Sequence, residues 1–224
     1  TRSIVGSGQM CIRDSPTIAP YILPDLLSML AEAYPDLQPR FVEEQTQHLI
    51  TRLRNGNLDL AIMALPSEAT GMVDSPLYTE KFSIVCPPDH PIAGREDVEL
   101  AELKDLDLLL LDDGHCLRDQ VVDLCRHANI NPAEATNSVT RASSLTTIMQ
   151  LVMGGLGCTL VPESALATEC HGKDVAIAHF ASDVTAEREV GLVFRSSAAR
   201  AEEFREFGTL ITAAYNKAIE RSRQ

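Results

Sequence analysis

The stretch "LDLAIMAL", residues 58 to 65, is an apolar run with turn-forming residues on both sides. Its length suits a β-strand, and an unbroken apolar run is typical of a strand that is buried on both faces. Strands of this kind occur in sheets that are covered by helices on each side. The stretch therefore predicts an α/β fold built around a central strand.

The segments on either side alternate between strand and helix patterns along the chain. Further strands are predicted at 38–44, 82–87, 106–113, 137–142, 158–162, 174–180 and 187–195, and helices at 22–34, 46–55, 117–128, 145–153 and 198–221. This alternation predicts mostly parallel sheets covered by helices. Residues 1–15 show no clean periodicity, so they receive no element and Cys11 receives no role.

Composition narrows the class of protein. The chain has 224 residues, of which 45% are hydrophobic and 23% charged, enough for one large α/β domain or two small ones. It shows no membrane-spanning run and no secretory signal pattern, and its six cysteines form no small-domain disulfide framework, so we expect a reducing cytoplasm. The net charge of -13 opposes direct binding of nucleic acid, although a DNA-binding module on a longer parent chain stays possible.

Two cysteines nine positions apart lie in "DDGHCLRDQVVDLC", residues 112 to 125. They could be buried thiols, metal ligands or a reactive pair. A zinc site from His115, Cys116, Cys125 and His127 suits tetrahedral geometry poorly, because two ligands are adjacent and no CxxC knuckle is present. The choice between inert and reactive thiols stays open on the residues alone.

Several motifs resemble LysR-type transcriptional regulators. "LRNGNLDLAIMALP" and "VMGGLGCTLVPES" are similar to the two signatures of the effector-binding half of that family. "GHCLRDQ" with its second cysteine is similar to the redox loop of the peroxide-sensing members, and "PTIAPYILP" (16 to 24) resembles the opening of their sensor domain. The resemblance covers residues 16 to 221. It implies two Rossmann-like subdomains, of the type-II periplasmic-binding-protein kind, joined by two crossing segments.

On this resemblance we expect subdomain I at 1–81 and 188–224, and subdomain II with the redox loop at 82–187. The N-terminal winged helix-turn-helix of the family is absent from the sequence. The resemblance implies a homodimer of this domain and a tetramer of the full-length protein, with the helices at 46–55 and 198–221 as candidate contacts. It also implies that DNA and RNA polymerase are reached through the missing part.

The resemblance also assigns roles to individual residues. It implies that hydrogen peroxide oxidises Cys116 and that Cys125 then forms a disulfide with it, which a reducing dithiol protein of the glutaredoxin or thioredoxin type later breaks. No metal or other cofactor is implied. The remaining candidates are residues around the reactive cysteine (His115, Arg118, Asp119), residues near the peroxide (Thr17, Arg188) and residues in the ligand stretch of many relatives (Ser143, Ser144).

The spacing of the two cysteines adds a physical requirement. If the segment is helical, nine residues rise about 13 to 14 Å and turn about 900°, which places Cys125 on the opposite side of the axis from Cys116. A disulfide needs Cα atoms within roughly 7 Å of each other. The segment must therefore unwind before the bond forms.

Two alternatives stay open beside a peroxide sensor. The domain could bind a small-molecule co-inducer between its subdomains and carry incidental cysteines, or it could be a thiol peroxidase, which ranks last because no peroxidase fold pattern is visible. We therefore expect that it is not an enzyme. Cys86 and Cys158 are expected in the core and Cys170 at the surface. Taken alone, Thr17 suggests a turn hydroxyl, Ser144 a helix cap and Arg188 a surface ion pair.

Overall fold

The computed structural model describes residues 9–44, 46–132 and 136–223, with the side chains of 9–14, 42–43, 47 and 136–141 outside that description. The chain divides into two compact units, here called unit 1 and unit 2. Unit 2 is Glu80–Arg188, and unit 1 ends at Thr79 and resumes at Glu189. Both boundaries lie within two residues of the changes of subdomain expected from the sequence.

Strands and helices alternate through both units. The described strands are β1 (Gln9–Asp14), β2 (Gln38–Glu43), β3 (Leu60–Leu65), β4 (Met72–Cys86), β5 (Leu108–Leu111), β6 (Thr136–Ala142), β7 (Thr159–Pro162), β8 (Ala176–His179) and β9 (Glu187–Arg195). The described α-helices are α1 (Ala19–Ala33), α2 (Thr46–Arg54), α3 (Cys116–His127), α4 (Leu145–Met153), α5 (Glu163–Glu169) and α6 (Ala201–Ser222), and a 3₁₀ helix spans Leu100–Asp105. None of these helices has the length and apolarity that crossing a membrane requires.

The sheet of unit 1 has the strand order β2-β1-β3-β9-β4. The strand β3 is buried on both faces, as "LDLAIMAL" predicts. Leu60 and Ile62 belong to a core shared with α1 and α6, whereas Ala61 and Met63 belong to a second core shared with α2. Because successive side chains of a strand point to opposite faces, this one strand is packed against helices on both sides.

In unit 2, the second half of β4 lies between β7 and β8 and runs antiparallel to both. The strand β5 pairs in parallel with β6, and a bridge between Leu108 and Cys158 places it beside the start of β7. Helix α3 follows β5 directly along the chain. The sheet of unit 2 therefore positions the segment that carries Cys116.

The expectation of mostly parallel sheets is wrong for half of the described pairings. β1 pairs in parallel with β2 and β3, and β5 with β6, but β3–β9, β4–β7 and β4–β8 are antiparallel. The physical reason is that β4 and β9, which carry the chain between the units, belong to the sheets themselves. Alternating helix and strand patterns do not show the direction of such connecting strands.

Four elements were missed from the sequence: β1, the first half of β4, the 3₁₀ helix at Leu100–Asp105, and α5. β1 lies in residues that show no periodicity, and it pairs with β2 over its whole length. The first half of β4 is polar and only partly buried, so it lacks the apolar run that marks β3. Helix α5 is only seven residues long, which is too short for a helical period to be read.

The glycine at 157 is required by a close approach of two backbone segments. It has φ 149°, and a Cβ there would lie 2.1 Å from the carbonyl oxygen of Asp107. We expect Gly157→Ala to lower the free energy of unfolding by about 2 to 4 kcal/mol through backbone strain and overpacking. Urea unfolding measures this.

The matched control is Gly155→Ala in the same turn. Gly155 also has positive φ, but nothing lies within 4 Å of its Cβ position, so only the strain of about 1 kcal/mol is expected. Equal losses from both substitutions would contradict the close-approach explanation.

Candidate functional site

A tight turn joins β5 to α3 and places Cys116 at the start of the helix. The backbone N–H of Asp112 donates to the carbonyl of Ala142 at 2.9 Å, and Gly114 has φ 93°, a conformation that favours glycine. His115 is the N-cap residue, with extended backbone angles, and Cys116 is the first residue of α3. The thiol therefore lies at the N-terminal end of the helix, where the helix dipole favours negative charge.

Arg118 pairs with two of the carboxylates that surround this helix start. Its guanidinium lies 2.8 Å from Asp113 and 3.3 Å from Asp119. Uncompensated, these carboxylates would oppose an anion at Cys116. Their pairing with Arg118 reduces that opposition and leaves the positive end of α3 directed at the thiol.

Two buried nitrogen atoms next to Cys116 have unused hydrogen-bonding capacity. Within the described residues, Nδ1 of His115 and Nε of Arg118 are buried without a hydrogen-bond partner. His115 is only 7% exposed, so its ring has little access to bulk water. Because buried polar atoms are normally paired, both nitrogens suit a small oxygen-containing ligand beside the thiol.

Cys116 differs from the other cysteines in exposure. All five described cysteine side chains are thiols outside any disulfide, and only Cys116 among them is not buried. Burial raises the pKa of the Cys86 and Cys125 thiols. It is also the main cause that raises the pKa of Cys158 to about 12 and that of Cys170 to about 11. Since the thiolate is the nucleophile, burial disfavours reaction at these four.

These positions confirm that Cys86 and Cys158 are core residues, and they correct the expectation for Cys170. Cys170 was expected at the surface because Glu169 and His171 flank it, but it is buried. It ends the short helix α5, whose turn directs it inward. The side chain of Cys11 lies outside the described part of the chain.

Cys116 and Cys125 lie on the same continuous helix. Cys125 is fully buried near the other end of α3, and its carbonyl accepts a hydrogen bond from the N–H of Ile130 at 2.9 Å. On an intact helix the two Cα atoms are about 13 to 14 Å apart, and the side chains point to opposite sides of the axis. The pair therefore cannot form a disulfide in this conformation.

Arg188 is buried, which corrects the interpretation of a surface ion pair. It lies on β9 and pairs with Glu80 on β4, at 2.8 Å from Nε and 2.7 Å from the second nitrogen. The other carboxylate oxygen of Glu80 accepts the N–H of Ser164, the second residue of α5, at 3.1 Å. Glu80 was missed from the sequence because 108 residues separate it from its partner.

The remaining candidates are Thr17 in unit 1 and Ser143 and Ser144 in unit 2. Thr17 belongs to unit 1, where it is buried in the turn before α1 with its hydroxyl 3.3 Å from that of Ser15. Ser143 and Ser144 are exposed at the start of α4. The Ser144 hydroxyl accepts the N–H of Thr147 at 3.2 Å, which confirms its role as a helix cap. Among the residues that the structure describes, no cluster of His, Cys, Asp and Glu suits a metal.

Comparison with known proteins identifies the class of this fold and site. The family model of the LysR substrate binding domain matches residues 5–216. The chain therefore belongs to the LysR substrate-binding domain family, and the expected two-part α/β fold is confirmed.

Within that family, the chain is similar to OxyR regulators. A probable hydrogen peroxide-inducible genes activator from Mycobacterium avium is 47% identical over 196 residues, which cover 88% of this chain and 62% of that protein. The chain thus spans less than two thirds of the length of that relative.

Two solved structures of Corynebacterium glutamicum OxyR give the structural comparison. An H2O2-bound cysteine-to-serine mutant has a TM-score of 0.94 at 57% identity, covering 96% of this chain and 67% of that chain. The oxidized form has a TM-score of 0.85 at 54% identity, covering 99% of this chain and 69% of that chain.

The buried Glu80–Arg188 pair can be tested by a double-mutant cycle. Arg188→Leu should lower the free energy of unfolding by about 3 to 5 kcal/mol, because it leaves the Glu80 carboxylate buried without its counter-charge. The double variant with Glu80→Leu and Arg188→Leu should lose less free energy of unfolding than the two single variants lose together. The difference, which is the coupling energy of the pair, should be about 1 to 3 kcal/mol.

The exposed pair Asp123–Arg126 on α3 provides the control. Arg126→Leu should change stability by less than about 1 kcal/mol, as is usual for surface ion pairs. Strictly additive losses at Glu80 and Arg188 in urea unfolding would show that the two side chains are not coupled.

Proposed function

We propose that this chain is the regulatory domain of a hydrogen-peroxide-sensing transcription regulator, with Cys116 as the residue that peroxide oxidises. The observation that carries this proposal is the position of Cys116. It is the one described thiol that is not buried, and it begins helix α3 beside His115. The name of the Mycobacterium relative and the H2O2-bound OxyR structure support peroxide as the oxidant.

The first step is a two-electron oxidation of Cys116. The thiolate attacks one oxygen of hydrogen peroxide, the O–O bond breaks, and hydroxide leaves and is protonated to water. The product is a sulfenic acid. His115 and Arg118 supply hydrogen-bond donors to the peroxide oxygens, and Asp119 orients Arg118. We assign Thr17 and Arg188 to the peroxide pocket by resemblance alone.

The second step joins Cys116 to Cys125. The Cys125 sulfur attacks the sulfenic sulfur, a disulfide forms, and one water molecule leaves. Because α3 holds the two residues on opposite sides, the helix must unwind first, and unwinding also exposes the Cys125 thiol that burial keeps protonated. The disulfide therefore fixes a second conformation of this segment, which is the output of the sensor.

We propose that the whole protein acts in the cytoplasm as a tetramer built from dimers of this domain, and that it reaches DNA and RNA polymerase through a part outside this sequence. A dithiol protein of the glutaredoxin or thioredoxin type resets the switch by two thiol–disulfide exchanges, in which its own dithiol becomes a disulfide. Each cycle consumes one peroxide, and we propose that the domain acts as a sensor and not as a peroxidase.

Mass spectrometry after a short peroxide pulse tests the assignment. We expect one equivalent of peroxide to join Cys116 to Cys125, with a loss of about 2 Da from the two hydrogens removed. Cys125→Ser should stop at a sulfenic acid on Cys116, which dimedone traps, and Cys116→Ser should abolish both products. Cys170→Ser is the control and should behave like the unaltered chain. Oxidation that begins at any other cysteine would overturn the proposal.

The unwinding step is tested by a matched pair of substitutions at exposed Asp123. Asp123→Ala and Asp123→Gly remove the same ion pair with Arg126, but glycine costs the helix about 1 kcal/mol more than alanine. We expect the sulfenic acid to convert to the disulfide roughly fivefold faster in the glycine variant. Rapid quenching and mass spectrometry measure both steps.

The first oxidation step serves as the internal control in this experiment. Its rate should be the same in both variants, since neither substitution touches Cys116 or His115. Equal rates of disulfide formation would show that the helix does not limit the second step.

A further inference from the structure

A second pair of cysteines lies where two neighbouring strands of unit 2 meet: Cys86 ends β4 and Cys158 directly precedes β7. β4 and β7 pair antiparallel with the register Phe82–Pro162 through Val85–Thr159. The next position in this register places Cys86 opposite Cys158. Residues opposite each other on antiparallel strands point to the same face and have Cα atoms about 4.5 to 5.5 Å apart. A disulfide accepts Cα separations of roughly 4.4 to 6.8 Å.

We infer that Cys86 and Cys158 form a second redox dithiol, which closes to a cross-strand disulfide under sustained exposure to hydrogen peroxide. This pair goes beyond the proposed sensing function and does not involve Cys116 or Cys125. Unlike the first pair, it needs no change of secondary structure. The Cys86 thiol donates to the carbonyl of Ala176 on β8 at 3.7 Å, so a rotation of its side chain redirects the sulfur toward Cys158.

The pKa of Cys158 agrees with a short distance between the two thiols. After burial, the second largest cause that raises the pKa of Cys158 is its charge interaction with Cys86. Such an effect needs the two sulfur atoms to be near each other, as the strand register also indicates.

The oxidation of this pair has the same stoichiometry as the oxidation of any dithiol by peroxide. One thiolate attacks peroxide and becomes a sulfenic acid as hydroxide leaves, and the other thiol then displaces water to form the disulfide. In total, two thiols and one peroxide give one disulfide and two waters. Both residues are fully buried, and few thiolates exist when the pKa is about 12, so this reaction is slow. It responds to prolonged oxidation, whereas the exposed thiol at Cys116 reacts first.

The position of this pair gives the second disulfide a structural consequence. The backbone of Cys158 is hydrogen-bonded to β5 and the residue before it, with the Leu109 N–H donating to its carbonyl at 2.8 Å and its own N–H donating to Asp107 at 2.9 Å. β5 leads directly to the turn before Cys116. A Cys86–Cys158 bond would therefore join β4 to the strand that holds β5 in place while α3 is unwound.

The test uses a chain with Cys116→Ser and Cys125→Ala, so that the first pair cannot react while Cys86, Cys158 and Cys170 stay in place. After hours in excess peroxide, we expect peptide mapping to find a Cys86–Cys158 link with unchanged circular dichroism. The rate should rise about tenfold for each pH unit, as for any thiol far below its pKa. The melting temperature should rise by roughly 4 to 16 °C after closure.

The control is the same chain with Cys158→Ala in addition, which should form no link and show no rise in melting temperature. A Cys86 sulfinic acid without a link, a link from either residue to Cys170, or a link that forms only as the circular dichroism signal is lost would each overturn the inference. The link between Cys116 and Cys125 in the unaltered chain is measured in parallel, so the two proposals fail separately.

Discussion

Residues nine positions apart on an α-helix point to opposite sides of its axis, and this constraint governs the chemistry of Cys116 and Cys125. The structure has both residues on one unbroken helix, α3, with the first at its start and the second buried near its end. A covalent bond between them and an intact α3 are mutually exclusive. The proposed oxidation therefore has to select between two conformations of the segment, with no intermediate that keeps both.

The rest of unit 2 provides a stable base for that change. The turn before α3 is held by the hydrogen bond from Asp112 to Ala142, and β5 is held by the backbone of Cys158 and by the Thr159 hydroxyl, which donates to Leu109 at 3.0 Å. None of these bonds depends on α3. The helix can therefore lose its conformation while the strand that precedes it keeps its place, which confines the rearrangement to a short stretch of chain.

The sequence predicted those features that leave a local pattern. The apolar run around Leu60 marked β3, and the spacing of apolar residues marked α3. Features that depend on distant partners were not visible. The burial of Arg188 is possible only because Glu80 neutralises it from another strand, and Cys170 is buried by the packing of a helix too short to show a period.

The ion pair between Glu80 and Arg188 also says something about how unit 2 is built. These residues are the first and the last of the unit, and their side chains lie within 2.7 Å of each other. A segment whose two ends meet in this way has the form of a domain inserted into a host chain. Unit 2 thus has the geometry that tolerates excision as a separate polypeptide or reconnection in a permuted order, with α3 still inside it.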